Sequence, residues 1–247
     1  MGINSMSQVI SPEFTEIAAP DLDDIIIEDE TPVDNLISEK QQRLLVHSLY
    51  SSLNRETPFL ATANVGLFYA LKQPPLVPDV MVSFDVVVPE DWSQKQNRSY
   101  FVWNFGKVPE VALEIVSNTV GGELSNKLSD YARARVPYYV VFDPLNYLNG
   151  DTVQVYELGV VHYQLRSDRW LEAIGLGLTL WEGIFEGKAY TWLRWCDREG
   201  NLLLTGDERA EQEHQRAEQE RQRAEQEYQR AERLAALLRA QGINPEV

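Results

Sequence analysis

The spacing of apolar residues in the first half of the chain predicts one helix followed by several strands. Residues 39–54 repeat leucine every four positions from Leu45 to Leu53, which is typical of an amphipathic helix starting near Ser38. From residue 59 the apolar residues fall in short alternating runs, as expected for strands. The insertion at 89–108 holds several aromatic residues, and we predict that it forms a packed hairpin or lid. The strands are predicted over residues 59–63, 66–71, 80–88 and 110–117.

The second half of the chain adds a helix between two strands. Residues 123–135, which follow two glycines, predict a helix with an apolar stripe. Residues 137–143 are almost entirely apolar, as in a central strand that is covered on both faces, and residues 152–165 alternate like a hairpin. The element order predicts an α/β (α+β) fold with a strand–helix–strand crossover over residues 110–143. The buried stripe of the helix is predicted to contain Leu124, Leu128, Tyr131 and Ala132.

A seven-residue repeat begins at Arg209 and ends in a leucine-rich segment. Its residues have high helix propensity, so it predicts one long helix. The apolar positions of the repeat are mostly alanines, which form too thin a stripe for a strong coiled coil. One interpretation is a solvated single helix held by Glu–Arg pairs three or four residues apart. The other is weak self-association, or binding of a protein partner, through Leu234, Leu237 and Leu238.

Charge divides the chain into three segments. Residues 1–38 hold nine acidic and no basic residues, which gives −9, and residues 206–247 hold ten acidic and seven basic residues, which gives −3. Because the whole chain carries −16, residues 39–205 carry −4. We predict an acidic N-terminal arm, a folded domain and a charged helix over these ranges. The folded domain has no dense basic stripe, which argues against tight DNA binding by a single copy.

The composition also indicates where the protein works. Its single cysteine, Cys196, excludes an internal disulfide and fits a reducing compartment. The chain has no signal-peptide pattern at its start and no apolar run close to the roughly 18 residues of a membrane helix. We therefore expect a cytoplasmic protein without membrane association. Scattered histidines and the lack of a phosphate-binding glycine loop argue against a zinc site and a nucleotide site.

Two acidic residues occur at strand positions that are otherwise apolar. Asp79 opens the strand at 80–88, and Glu114 lies inside the strand at 110–117, where a carboxylate is costly unless it is paired or bound to metal. Carboxylates on neighbouring strands can share a hard cation such as Mg²⁺, to which the carbonyl of Ile115 could add an oxygen. Lys127, on the next helix, could position or deprotonate an attacking water, or stabilise charge on a phosphate.

Each of these residues also has a purely structural interpretation. Asp79 could cap a turn after a proline, Glu114 could pair with an arginine such as Arg133, and Lys127 could be an ordinary surface lysine. Glu39 or Gln42 on the first helix could add a further metal ligand, or each could have only a structural role. Asp143 most simply ends a strand with a turn, and Cys196 most simply packs among aromatic residues.

Several of these motifs follow one another in a fixed order. A Pro-Asp strand start at 78–79 precedes Glu-Val-Ala-Leu-Glu-Ile-Val-Ser at 110–117, a Lys-x-x-x-Tyr helix at 127–131 and a Phe-Asp-Pro strand end at 142–144. Over residues 35–200 this order resembles the Uma-type family, which is large in cyanobacteria and is placed in the PD-(D/E)XK restriction-endonuclease-like superfamily. The resemblance implies a restriction-endonuclease-like core, in which helices flank a central mixed β-sheet, followed here by the long C-terminal helix.

The resemblance also implies a nuclease site. Asp79 and Glu114 would bind Mg²⁺ (or Mn²⁺), and Lys127 would replace the usual superfamily lysine, whose position holds Val116 here. The first hypothesis is an endonuclease that hydrolyses DNA phosphodiester bonds with a metal-activated water and acts as a homodimer. The second is an inactive nuclease-fold scaffold or binding protein that acts through its acidic arm and C-terminal helix.

Overall fold

The computed structural model describes residues 35–117, 122 and 124–242 of the chain. Its first helix, α1, begins at an asparagine cap. Helix α1 spans Leu36–Ser52, and the side chain of Asn35 accepts hydrogen bonds from the amides of Ile37 and Ser38. The predicted helix is confirmed, but it starts before Ser38 because Asn35 provides the cap. The remaining described α-helices are α2 (Val102–Phe105), α3 (Asn126–Arg133) and α4 (Gly206–Ala240), and a 3-10 helix spans Lys95–Asn97.

A mixed six-stranded sheet forms the centre of the domain, with the strand order β1-β3-β5-β6-β7-β8. Strands β5 and β6 are parallel and the other neighbours are antiparallel. Helix α3 connects the parallel strands β5 and β6, which confirms the predicted crossover. Strands β7 and β8 pair in the antiparallel direction, which confirms the predicted hairpin. The described strands are β1 (Phe59–Thr62), β2 (Leu67–Phe68), β3 (Val80–Phe84), β4 (Tyr100–Phe101), β5 (Val111–Ile115), β6 (Tyr138–Phe142), β7 (Val153–Leu158), β8 (Tyr163–Leu165), β9 (Trp170–Leu171), β10 (Leu176–Phe185) and β11 (Lys188–Cys196).

Apolar cores cover both faces of the central sheet. On one face, which we call the α1 face, Leu45 and Leu49 of α1 pack with Leu113 of β5. On the other, which we call the α3 face, Tyr131 of α3 packs with Val116 just beyond β5. Side chains alternate between the faces along a strand, so β5 contributes to both cores. Helices thus flank a mixed sheet and a long helix follows it, which confirms the predicted fold class.

The insertion at 89–108 folds into short elements on the α3 face. Strand β4 pairs in parallel with β2, and its residues Tyr100 and Phe101 are buried. The predicted packing of the aromatic residues is confirmed for Tyr100, but it is wrong for Trp92, which is 65% exposed. The predicted hairpin is wrong, because the partner strand of β4 precedes the insertion in the chain.

A second sheet of β9, β10 and β11 packs against α1. The side-chain amide of Gln41 donates to the carbonyl of Leu193 at 2.8 Å and accepts from its amide at 2.9 Å. The indole nitrogen of Trp195 donates to the carbonyl of Leu45 at 3.1 Å. These buried bonds fix α1 between the two sheets.

Helix α4 is attached to the domain through its N-terminal end. Thr205 and Glu208 form a capping box, and the fully buried Arg194 donates to both carboxylate oxygens of Glu208 at 2.8 and 2.7 Å. None of the residues of α4 is buried. The long C-terminal helix predicted from the repeat is confirmed, and its partner-binding role remains a prediction.

We expect Glu208→Gln to lower the free energy of unfolding by about 2 kcal/mol at neutral pH, as is usual for hydrogen bonds to a charged group. Burial acts to raise the pKa of Glu208, but the hydrogen bonds and charge of Arg194 outweigh it, so the pKa lies below the ordinary 4.5. A lowered folded-state pKa stabilises the protein at pH values above 4.5, and this stabilisation is lost as the pH falls through the pKa of the folded state.

Urea unfolding at a series of pH values from 7 to 3 measures the stabilisation by Glu208. The variant and the wild type should converge at low pH, and the exposed Glu220→Gln should match the wild type throughout; equal stability at pH 7 would contradict the expectation.

Several predicted boundaries are corrected. Leu124 is 37% exposed, so its place in a buried stripe is wrong: α3 begins only at Asn126. Strand β3 ends at Phe84 because Asp85 adopts a left-handed conformation with φ +57°. Most of the predicted arm at 1–38 lies outside the described residues. Within residues 35–242, apart from the short gap at 118–123, no helix has the length and apolar character needed to cross a bilayer.

Candidate functional site

Asp79 and Glu114 lie opposite each other on neighbouring strands. Val80 pairs with Leu113 in the antiparallel ladder of β3 and β5, which brings Asp79, one residue earlier, across from Glu114, one residue later. The carboxylate of Asp79 accepts a hydrogen bond from the amide of Ile115 at 2.5 Å. By strand alternation Glu114 belongs to the α3 face, whereas Asp79 lies just before the start of β3. The two carboxylates predicted to act together are thus neighbours at one end of the strand pair.

A hydrogen-bonded chain from α1 holds Asp79. The side-chain amide of Gln42 donates to Asp79 Oδ1 at 3.0 Å, and its oxygen accepts from Asn64 Nδ2 at 3.0 Å. Asp79 is 8% exposed and Gln42 is 4% exposed, so these bonds lie almost out of water. The amide of Asn64 also donates to the carbonyl of Pro78 at 3.2 Å. The orientation of the Asp79 carboxylate is therefore set from two directions.

Glu114 is held by two residues of α3. Its Oε1 accepts from the hydroxyl of Tyr131 at 2.6 Å, and its Oε2 accepts from Nζ of Lys127 at 2.8 Å. Glu114 itself is 3% exposed. Arg133, the suggested structural partner of Glu114, instead pairs with Asp130 at 3.1 Å. The buried carboxylate is thus paired with a lysine that also reaches solvent, since the Lys127 side chain is 35% exposed.

Tyr131 acts as a permanent hydrogen-bond donor to Glu114. Burial, and after it the negative charge of Glu114, raises the pKa of Tyr131 well above its ordinary value. The phenol therefore keeps its proton at all physiological pH values. It can orient the carboxylate but cannot take up a proton from a reacting group.

The donor set fits a hard divalent cation with few protein ligands. Among the residues that the structure describes, no group of three or more His, Cys, Asp or Glu side chains could hold a metal ion. A metal here would take carboxylate oxygens from Asp79 and Glu114 and the rest of its ligands from backbone, water or substrate, as Mg²⁺ commonly does. A carboxylate has about four lone-pair positions, so hydrogen bonds to its oxygens are compatible with such binding.

The other residues singled out from the sequence differ in whether they contact the candidate site. Gln42 contacts Asp79 directly, whereas Glu39 pairs with Arg43 at 2.7 Å on the outer side of α1. The carboxylate of Asp143 caps a turn by accepting from two backbone amides at 3.0 and 2.7 Å, as its structural interpretation predicts. Cys196 is buried, as packing among aromatic residues requires.

Sequence reasoning missed two members of this network. The sequence places Tyr131 in the buried stripe of α3 and in the Lys-x-x-x-Tyr motif but gives it no part in the site, although its spacing of four from Lys127 puts both side chains on one side of the helix. Asn64 gave no signal, because its link to the site depends on a turn that follows β1. Both contacts are made across the fold, where local patterns carry little information.

The comparison with protein families decides the relationship of this chain. The family model described as "Putative restriction endonuclease" and called Uma2 matches residues 12–179, about two thirds of the sequence. The chain belongs to the Uma2 family. The Uma-type resemblance predicted from the motifs is thereby confirmed, and the match includes Asp79, Glu114 and Lys127.

Two further comparisons accompany the Uma2 match. A crystal structure from Anabaena variabilis, described as "a putative nuclease belonging to DUF820", is similar over 57% of this chain and 72% of that chain, with 15% identity and a TM-score of 0.40. A likeness at this score adds nothing to what the family match establishes. The comparison with curated proteins gives no match.

Proposed function

We propose that this Uma2 protein is a divalent-metal-dependent endonuclease that hydrolyses DNA phosphodiester bonds. One observation carries the proposal: Asp79, directly before β3, and Glu114 of β5 occupy facing positions next to the register of the two strands, and the ammonium group of Lys127 is 2.8 Å from the Glu114 carboxylate. The family description supports the reaction class. Phosphodiester hydrolysis needs a cation, a positioned water and a positive charge near the phosphate, and these residues can supply the protein's share.

Each residue has a distinct part in the proposed reaction. Asp79 and Glu114 hold Mg²⁺ or Mn²⁺, and the carbonyl of Ile115 provides a third oxygen. When bound, the cation lowers the pKa of its water and offsets negative charge at phosphorus. Lys127 positions the water or stabilises the charge on the phosphate, since its amine reaches the site from the solvent side. Gln42 and Tyr131 are positioning residues that fix the two carboxylates.

The charge of the domain bears on how DNA is bound. Residues 39–205 carry −4, and two of those negative charges belong to the carboxylates that a cation would neutralise. A single copy therefore has little electrostatic attraction for DNA. We propose a homodimer, in which two sites each cut one strand of a duplex and the two copies share the binding.

The expected result with wild-type protein is metal-dependent nicking of supercoiled plasmid. Gel assays with Mg²⁺ or Mn²⁺ should show conversion to open-circular DNA, and EDTA should stop it because the carboxylates then have no cation to hold. Ca²⁺ is a useful comparison, because it binds similar oxygen ligands with a looser geometry. Wild-type protein that neither nicks plasmid nor binds Mg²⁺ or Mn²⁺ by calorimetry would contradict the proposal.

The second candidate is an inactive nuclease-fold scaffold that binds a protein partner. The observation that favours it is the exposure of α4 along its whole length, with Leu234 and Leu237 51% and 63% exposed near its end. Residues 1–34 of its acidic arm, which was predicted over residues 1–38, lie outside the described residues. The plasmid and calorimetry experiments separate the candidates, since a scaffold needs neither nicking nor metal binding.

A further inference from the structure

A cleft of about 310 Å³ opens on the α3 face between β1 and the insertion. This is within the range of about 300–1,000 Å³ that is usual for small-ligand clefts. Strand β1 and its following turn form one wall, and the insertion forms the other. The apolar lining comes mainly from Leu60, Val65, Trp92, Tyr100 and Phe105.

We propose that this cleft binds one unstacked base of the DNA substrate, with the indole of Trp92 stacking on the base. Stacking on aromatic side chains is the main way in which proteins hold single-stranded nucleic acids, because every base has a flat apolar face. A base inside a duplex is already stacked and paired, so only an unpaired or extruded base can enter such a cleft.

Trp92 is exposed to solvent, and hydrogen bonds order the loop that carries it. Its side chain is 65% exposed, an unusual position for the largest apolar side chain in a soluble domain. The loop around it is held by its own polar groups: Asp91 accepts from the amide of Ser93 at 2.9 Å and from the amide group of Gln94 at 2.8 Å. Arg98 donates to the carbonyl of Trp92 at 3.0 Å. A loop ordered in this way fixes the backbone of Trp92 before a ligand arrives, which lowers the entropy lost on binding.

The chemistry of the cleft suits a neutral ring more than a phosphate. Its interior is aromatic and aliphatic, with Tyr100 stacked on Phe105 at 4.3 Å between ring centroids. Two acidic residues, Glu90 and Asp91, immediately precede Trp92 and would repel a phosphate. Polar side chains of Thr62, Asn97 and Ser99 also line the cleft, where they can meet the edge of a base. The one cation among the described residues of the lining, Arg98, donates to the carbonyls of Trp92 and Ser93.

The cleft is connected to the candidate active site through the turn that follows β1. Thr62 and Val65, which line the cleft, bracket Asn64, and Asn64 is linked through Gln42 to Asp79. In this proposal the strand that carries the bound base runs from the cleft toward the two carboxylates. Its role in substrate choice rests on the proposed nuclease function, but the binding itself needs no metal. The protein should accordingly prefer single-stranded DNA, or duplexes with unpaired bases, to intact duplex.

Fluorescence anisotropy with a labelled single-stranded DNA, in EDTA so that no cleavage occurs, tests the proposal. We expect Trp92→Ala to weaken binding about 5- to 100-fold, the range of one base–aromatic stack, and Trp92→Phe to restore most of it. The matched control is Tyr228→Ala on α4, since Tyr228 is 62% exposed and far along the chain from the cleft. A strand of the same length without bases should bind the wild type and Trp92→Ala equally weakly.

Two results would overturn the base-binding cleft: wild-type affinity in Trp92→Ala, or equal affinity of the wild type for the strand with bases and the strand without them. Because Trp92 is at the surface, thermal melting should show that Trp92→Ala remains folded. The outcome is independent of catalysis. If the wild type binds single-stranded DNA through Trp92 but does not nick plasmid, the nuclease proposal is rejected and the base-binding cleft is kept. If the wild type nicks plasmid but its DNA binding does not depend on Trp92, the base-binding cleft is rejected and the nuclease proposal is kept.

Discussion

Glu114→Gln is expected to abolish DNA nicking and to remove most of the metal binding. Glutamine has nearly the same shape as glutamate but lacks the charge that a hard cation requires. We expect activity to fall by more than about 100-fold, since even outer partners of metal ligands are worth about 10- to 100-fold. Plasmid nicking gives the rate, and calorimetry with Mn²⁺ gives the affinity. Asp79→Asn should behave in the same way, because both carboxylates hold the same ion.

The control for Glu114→Gln is Asp143→Asn, which also neutralises a buried carboxylate at the end of a central strand. Asp143 is 2% exposed and caps a turn, so its loss should lower stability but leave nicking and metal binding intact. Circular dichroism must show that the Glu114 variant is folded. Glutamine keeps an oxygen that can accept from Tyr131, so the α3 face should remain packed. Mn²⁺ affinity equal to that of the wild type would reject Glu114 as a ligand.

The order of β5, α3 and β6 could be predicted from the sequence because each element has a strong local signal. The apolar run at 138–142 needs a buried central strand, and a strand–helix–strand unit has one preferred connection. Glu114 was conspicuous for the same reason, since a carboxylate in a buried strand must have a partner. The site residues with strong signals were thus those that contradict their local pattern.

Contacts between distant segments could not be predicted in this way. Arg194 and Glu208 are ordinary residues in the sequence, yet their buried pair fixes the start of α4. The parallel pairing of β2 and β4 was likewise hidden, because each is only two residues long and a hairpin is the simpler local solution. Such features depend on which surfaces meet in the folded chain, and alternation along one segment does not record that.

The position of Val116 gives a physical reason for a lysine on α3. Residues 114 and 116 point to the same face of the sheet, but Val116 is 1% exposed and packs in the core of the α3 face. A lysine there would have its stem and charge buried among apolar groups, which is costly. Lys127 approaches Glu114 from α3 with its stem partly in solvent. The helix thus supplies the ammonium group without interrupting the core.

Lys127→Met should therefore slow nicking about 100- to 1,000-fold, the usual effect of removing one group that stabilises transition-state charge, while Mn²⁺ affinity stays close to that of the wild type. Methionine retains the length of the stem and removes only the charge. The matched control is Lys107→Met: its side chain is 33% exposed, against 35% for Lys127, and it pairs with Glu110 away from the two carboxylates. Lys107→Met should nick DNA at the wild-type rate. If Lys127→Met also nicks normally, Lys127 only neutralises a buried glutamate; if it loses Mn²⁺ binding, its effect operates through the shape of the site and not through the phosphate.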